Sequence, residues 1–175
     1  MYADSEIALR AFYEADLGFL DRLCSDPEAL GPFEWVGFGD VRARRRRWEL
    51  DGYVGPDSTA LAVVLTDGTL AGLASWKTTN RSVPDRGICY EIGLALLPEH
   101  RGHGLGTAAQ RLLVDYLFRF TTVHRLEAFT DAKNIAEQKS LERVGFQREG
   151  IMREVAFQNG SWRDAVIYSL LREGQ

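Results

Sequence analysis

Cysteine is scarce in this chain of 175 residues: only Cys24 and Cys89 occur, with no Cys-x-x-Cys pair, and histidine is limited to three positions. A disulfide framework or a structural zinc site is therefore not expected, no metal ligands stand out, and both thiols read as small apolar side chains. No window approaches the roughly 18 apolar residues of a membrane-spanning helix. The opening MYADSEIALRAF has no basic segment leading into an apolar run, so the expectation is a cytoplasmic protein with no membrane partner. A Gly-Lys pair is absent throughout, which excludes the mononucleotide phosphate loop Gly-x-x-x-x-Gly-Lys-Ser/Thr. The formal net charge of −4 argues against bulk nucleic-acid affinity, although it hides the local run VRARRRRW.

What is present is ordinary globular composition, with 45% hydrophobic and 26% charged residues. The length suits one domain, residues 1–175, able to bury a core without metal or disulfide support. Residues 6–12 alternate as a strand, and 13–26 place Leu17, Leu20, Leu23 and Cys24 at helical spacing. Residues 27–39 read as an aromatic-rich loop, followed by a short helix capped by Asp40. Residues 59–79 are two β-rich runs joined at Asp67-Gly68, a strong hairpin signal. A strand over 87–97 then leads to a helix over 106–120, a strand over 124–130 and a helix over 134–144 stopped by Gly145. Two strands around Asn159-Gly160 close the chain. The order β-α-α-β-β-β-α-β-α-β-β predicts an α/β fold of the α+β type, with a mixed, mostly antiparallel central sheet flanked by helices.

Between the strand ending near Leu97 and the next helix lies PEHRGHGLGTAAQRLL, with Gly102, Gly104 and Gly106 on alternate positions. A strand feeding a helix through such a turn gathers backbone N–H groups and the positive end of the helix dipole at one point. Glycine leaves that backbone open to close approach, so the turn suits a pyrophosphate, with Arg101 adding a charge-assisted contact. The dinucleotide fingerprint needs Gly-x-Gly-x-x-Gly in a parallel βαβ run, which neither the spacing nor the flanking hairpins supply, although Glu127 could mimic its ribose-binding acid. A tight turn with a close helix–strand contact remains the purely structural reading.

The stretch resembles the acyl-coenzyme A motif of the GNAT superfamily, Arg/Gln-x-x-Gly-x-Gly/Ala, matched by Arg101, Gly104 and Gly106. ALRAFYEADLGFL, NIAEQKSLERVGF and EGIMREVAFQNGSWRDAVIYSLL extend the resemblance across the chain, toward the ribosomal-protein and spermidine N-acetyltransferase branch. The resemblance implies a GNAT fold and acetyl-CoA as cosubstrate. It further implies that backbone groups of Leu96 and Leu97 pair with the pantetheine arm as if with an added strand. The amides of Arg101, Gly102, His103, Gly104, Leu105, Gly106 and Thr107 would hold the pyrophosphate, and Asn134 would approach the pantetheine from the far side.

Transfer of an acyl group to an amine requires removal of the ammonium proton, stabilisation of an oxyanion and a proton for the leaving group. Glu91, in YEIGLALL, is the first candidate base, because alternation sets it on one face with Gly93, Ala95 and Leu97. Glu154 is the second candidate. Either carboxylate could instead be a structural ion-pair partner. A backbone N–H near Leu96 would meet the oxyanion. Where many GNAT enzymes carry a tyrosine four residues before the Gly-Phe pair, this chain has Leu141, and where the branch has a serine three residues after the helix-opening Asn, it has Glu137. Glu137 would serve as an acid only with a well-raised pKa, so the donor is water, Ser140 or none.

Four consecutive arginines on one helix cannot form a single stripe, so Arg44, Arg45, Arg46 and Arg47 form a solvated face, a clamp on an acidic substrate or coenzyme A phosphate, or a contact to RNA. His100 and His103 read as surface residues beside the turn, and Phe33, Trp35, Phe38, Trp48 and Trp76 as core or pocket wall. The leading expectation is an acetyl-CoA-dependent N-acyltransferase acting on a small-molecule amine or a protein N-terminus. A GNAT-fold transferase with an aminoacyl-tRNA donor and a non-catalytic acyl-CoA sensor are the alternatives. Exposed sheet edges make a homodimer an expectation as well.

Overall fold

The computed structural model describes residues 1–3, 6–79 and 88–173. The described residues form one sheet with helices on both faces. Its strands are β1 (Tyr2–Ala3), β2 (Ile7–Arg10), β3 (Ser58–Leu65), β4 (Leu70–Thr79), β5 (Cys89–Leu96), β6 (Arg125–Asp131), β7 (Gln147–Gln158) and β8 (Ser161–Leu171). Their order is β1-β2-β3-β4-β5-β6-β8-β7, and every neighbouring pair is antiparallel except β5 and β6. The helices are α1 (Leu17–Ser25), α2 (Pro27–Leu30), α3 (Val41–Asp51), α4 (Leu105–Phe120) and α5 (Ile135–Val144).

Local chemistry accounts for most boundaries. Asp67 accepts from the Thr69 N–H at 2.8 Å and Gly68 takes φ 87°, closing the β3–β4 hairpin. Asn159 and Gly160 both adopt positive φ, the geometry that two-residue hairpins favour, and join β7 to β8. Asp40 caps α3 by accepting from the Arg42 N–H at 2.9 Å, and Gly145 ends α5 in the left-handed region. The sequence leaves two elements unannounced. Asp26 and Pro27 start the one-turn helix α2 inside the expected loop, with Asp26 accepting from the Glu28 N–H. Tyr2–Ala3 adds an edge strand too short for any periodic signal.

Alternation along the strands divides the core in two. Ile7, Leu9, Leu61, Val63, Ile92 and Leu126 face α4 and α5, where they meet Leu112, Leu113, Leu117 and Leu141. The intervening Ala8, Ala62 and Val64 face α1 and α2 and pack with Phe12, Leu20, Leu23 and Ala29.

The feature that positions the site is the short parallel ladder. β5 and β6 pair only at Cys89↔Arg125, Tyr90↔Leu126 and Glu91↔Glu127. Beyond Glu91, β5 stays with β4 as far as Leu96, and β6 stays with β8 as far as Asp131. The two strands therefore part in mid-sheet. Gly72 lets β4 hold its side of this arrangement: a Cβ there would fall inside van der Waals contact with the Ala95 carbonyl oxygen and 3.0 Å from Leu96 Cα. Gly72→Ala is expected to destabilise the protein by roughly 2–3 kcal/mol, measured by urea unfolding. An unchanged midpoint would mean that the β4–β5 ladder yields here at no cost.

Candidate active site

Parity in the β4–β5 ladder determines which backbone groups face the gap. The Leu97 N–H donates to the Ala71 carbonyl at 3.0 Å, so residues in phase with Leu97, namely Ala95, Gly93 and Glu91, bond toward β4. Ile92, Leu94 and Leu96 then present N–H and C=O toward the open side. The Leu96 carbonyl accepts from Arg101 Nε at 2.8 Å, while Arg101 Nη2 donates to the Ala29 carbonyl. The Arg101 guanidinium thus ties α2 to the end of β5 rather than standing free beside the glycine turn. Burial lowers its pKa from the ordinary arginine value.

After that anchor, Gly102 and Gly104 take φ 81° and 84°, a region that costs a Cβ-bearing residue strain. Gly104 is the N-cap of α4 and offers no side chain to the first-turn N–H groups. Gly106 meets a different need: a Cβ there would lie 3.5 Å from Leu94 Cδ2 and 3.8 Å from Leu96 Cδ1, so α4 runs close to β5. An open helix N-terminus of 16 residues thus points at the mouth of the gap.

The gap is a cavity of about 600 Å³, lined by β5 from Glu91 to Leu96, the glycine turn, β6 from Ala128 to Thr130, the start of α5 at Asn134, and the loop at Glu34. Its floor carries a chain of hydrogen bonds between α4 and α5. Thr107 Oγ1 and Ser140 Oγ lie 2.9 Å apart, Ser140 Oγ donates to Gln110 Oε1 at 2.8 Å, and Gln110 Nε2 donates to Glu137 Oε1 at 2.5 Å. Burial raises the Glu137 carboxyl to about 7, against the lowering effect of the Gln110 donor and with a further push from the Glu34 charge. Burial, then the charge of Asp131, also raises Glu34. Glu34 reaches the cavity because its loop is tied at both ends: the Trp35 N–H donates to Gly31 O at 3.2 Å, and Gln158 Nε2 donates to Trp35 O at 2.9 Å.

A second cavity of about 320 Å³ lies on the Glu91 face of β5, beneath α3, with Arg44, Arg47, Tyr53, Ser75, Trp76 and Lys77 in its wall. Glu91, Ile92 and Gly93 belong to both cavities. The Glu91 side chain is 19% exposed and its Oε1 sits 2.8 Å from Lys77 Nζ. A carboxylate is thereby held at the junction of the two spaces.

Of the residues singled out from the sequence, Glu91, Leu96, Arg101, Gly102, Gly104, Gly106, Thr107 and Asn134 come together around the larger cavity. Leu97 is turned into the core against α1 and α2, Leu105 packs against the α4–α5 core, and His103 is exposed. Glu154 lines neither cavity. It stands exposed at φ 52° in a bulge of the edge strand β7, its N–H held by Asp164 Oδ1 at 2.9 Å. Asn134 caps α5 by accepting from the Glu137 N–H at 3.2 Å. Leu141 is fully buried. Phe33 and Trp76 are wall residues of the larger and smaller cavity, whereas Trp48 packs into the core and Phe38 is exposed. Sequence reasoning missed Glu34, which carries no periodic signal, and Gln110, which does carry one, as a polar residue on the buried stripe of α4.

A strand-edge gap, an uncapped helix N-terminus at its mouth and a carboxylate shared by two cavities accord with the matches to known proteins. The GNAT acetyltransferase domain matches residues 6–147. The chain belongs to this family. The GNAT relative YjcK of Bacillus subtilis (strain 168), a probable N-acetyltransferase, is 40% identical over 80 residues, 46% of this chain and 44% of YjcK. For this and other curated relatives, the match spans about half of their length. An uncharacterized N-acetyltransferase of Bacillus licheniformis, p20, is 34% identical over 95% of this chain and 93% of its own. The GNAT fold is shared with the crystal structure of spermidine N-acetyltransferase from Vibrio cholerae in complex with CoA and spermine, at TM-score 0.84 and 21% identity over 96% of each chain. Among the described residues, no group of three or more His, Cys, Asp or Glu could hold a metal, and no helix is long and apolar enough to cross a membrane.

The raised Glu137 carboxyl has a consequence for stability. A carboxyl with a folded pKa of about 7 and an ordinary value of 4.5 favours the folded state fully below pH 4.5. That contribution is lost as the pH climbs to about 7. Glu137→Gln should match wild type at pH 4 and exceed it by roughly 1–3 kcal/mol at pH 8. Urea unfolding at both pH values measures this, and an equal effect at both would sink the assignment.

Proposed function

We propose that this chain is an N-acetyltransferase that moves the acetyl group of acetyl-CoA directly to a primary amine. The observation that carries the reading is that the two cavities share Glu91 in their walls: one space suits a donor, the other an acceptor, and a carboxylate stands between them. The donor space fits coenzyme A in three respects. The open α4 N-terminus with Gly102 and Gly104 offers N–H groups to a pyrophosphate. The gap-facing backbone of Ile92, Leu94 and Leu96 offers a strand edge to the amide groups of a pantetheine arm. Asn134 and Thr107 also line this space. Bound there, acetyl-CoA would supply the activated acyl thioester.

The chain's own residues supply the remainder. Glu91 accepts a proton from the acceptor ammonium, directly or through water, an ion of pKa about 10 that is almost wholly protonated at neutral pH. The gap-facing N–H groups near Leu94 and Leu96 meet negative charge developing on an acyl oxygen. Glu137 holds a proton on its carboxyl near neutral pH, inside the donor space, where a leaving group requires one. It thus fills the role that Leu141, buried and without a polar atom, cannot.

Calorimetric titration with acetyl-CoA should give micromolar binding that Gly104→Asp, which sets a negative charge in the cradle, weakens at least tenfold. Glu91→Gln should keep that binding and lower kcat about 100-fold or more. Wild-type kcat should fall above pH 7, and Glu137→Gln should lower kcat and remove that fall. Tight acetyl-CoA binding without turnover of any amine would replace this reading with that of an acyl-CoA sensor.

A further inference from the structure

The arginine run of α3 divides between water and the smaller cavity. Arg45 and Arg46 are exposed, and Arg46 pairs with the capping Asp40 at 3.1 Å. Arg44 and Arg47, one helical turn apart, are half-buried and line the acceptor cavity together with Lys77. Arg47 is fixed by bonds from Nη2 to the Ser58 carbonyl at 3.0 Å and to Ser58 Oγ at 2.8 Å, and its guanidinium lies 4.9 Å from the centroid of the Tyr53 ring. Its nearest carboxylate, Asp51, stands 3.8 Å away from Nε and outside the cavity wall. Arg44 Nε donates to Cys24 Sγ at 2.7 Å, and among the described residues no carboxylate pairs with Arg44. Among the described residues the wall therefore carries three cations and one carboxylate, Glu91, whose Oε1 faces Lys77. Among the described residues Arg44 has no carboxylate partner and Arg47 has only Asp51 at 3.8 Å, which leaves guanidinium N–H groups of both available to whatever fills the space. Neither arginine lines the donor cavity, so they belong to the acceptor side.

Resting on the acetyl-transfer reading, we infer that the acceptor is a small primary amine carrying an anionic group, a carboxylate, which Arg44 and Arg47 bind while Glu91 receives the proton of its ammonium. The cavity of about 320 Å³ accommodates an amino acid or the first residue of a peptide, with Tyr53, Trp76, Leu73 and Ala60 covering its carbon skeleton. A polycation placed there would set ammonium groups against Arg44, Arg47 and Lys77, an arrangement of like charges that opposes binding. The same wall both attracts the anion and rejects a second positive charge.

The test compares acceptors in matched pairs with the full chain and saturating acetyl-CoA. Amino acids are set beside their carboxamides, dipeptides with an N-terminal Asp beside those with Lys, and spermidine is included. The expected result is a kcat/KM at least tenfold higher for the anionic member, since a hydrogen bond to a charged group changes binding by about this factor or more. The amino acid arm and the Asp dipeptide arm tell whether the carboxylate is the acceptor's own or a neighbouring side chain. Arg44→Gln should raise KM for the anionic acceptor roughly tenfold and leave acetyl-CoA binding unchanged, and Arg44→Glu should turn the preference toward cationic amines. Arg47→Gln repeats the test, with its melting temperature checked because Arg47 also holds Ser58. Turnover with no preference for the anion, or with spermidine favoured, overturns the anion subsite and leaves acetyl transfer standing. Carboxylate binding that Arg44→Gln abolishes, with no amine turned over, supports the subsite and overturns acetyl transfer.

Discussion

Everything functional in this structure depends on one interruption of hydrogen bonding. Neighbouring strands normally satisfy each other along their whole length, because an unpaired backbone group removed from water is costly. Here β5 and β6 share three residue pairs and then separate, each retained by its other neighbour. The edge so exposed lies in the middle of a sheet rather than at its rim, walled by helices. It is thus protected from pairing with another chain while open to a ligand. The Arg101 guanidinium satisfies the Leu96 carbonyl where the parting is widest and brings α2 in to close one side. Packing keeps the gap open: Gly106 brings α4 against Leu94 and Leu96, and Gly72 brings β4 against Ala95.

Charge is distributed around this gap in two regimes. In the larger cavity, burial raises Glu137, with a push from the Glu34 charge, and raises Glu34, with a push from Asp131, so both lean toward their protonated forms. The Glu137 carboxyl is held in a fixed orientation by its chain of bonds to Gln110, Ser140 and Thr107. In the smaller cavity, among the described residues, Arg44, Arg47 and Lys77 stand around Glu91. Glu91 thus stands between a space with raised carboxyls and one lined by cations.

Secondary structure was legible wherever a short-range signal existed. The hairpins at Asp67-Gly68 and Asn159-Gly160, the Asp40 cap and the Gly145 stop each rest on chemistry within a few residues. The glycine turn was legible for the same reason, since Gly102 and Gly104 need their positive φ locally. The one-turn helix α2 was lost within an aromatic loop because a single turn shows no period. Glu91 stood out as the polar residue of an apolar strand, while the backbone parity that assigns Leu97 to the core and Leu94 to the gap required the register with β4.

The sequence by itself determined the mixed sheet, the sites of its turns and the place where a phosphate could meet a helix, because each is set by contacts near in the chain. Only the tertiary structure decided the partners of groups distant in sequence. It turned Arg101 toward Ala29, brought Glu34 opposite Glu137, and divided the arginines of α3 between solvent and a cavity. Those pairings come from the packing of helices against a sheet, and the charge environment of a side chain is a property of that packing rather than of its neighbours in sequence.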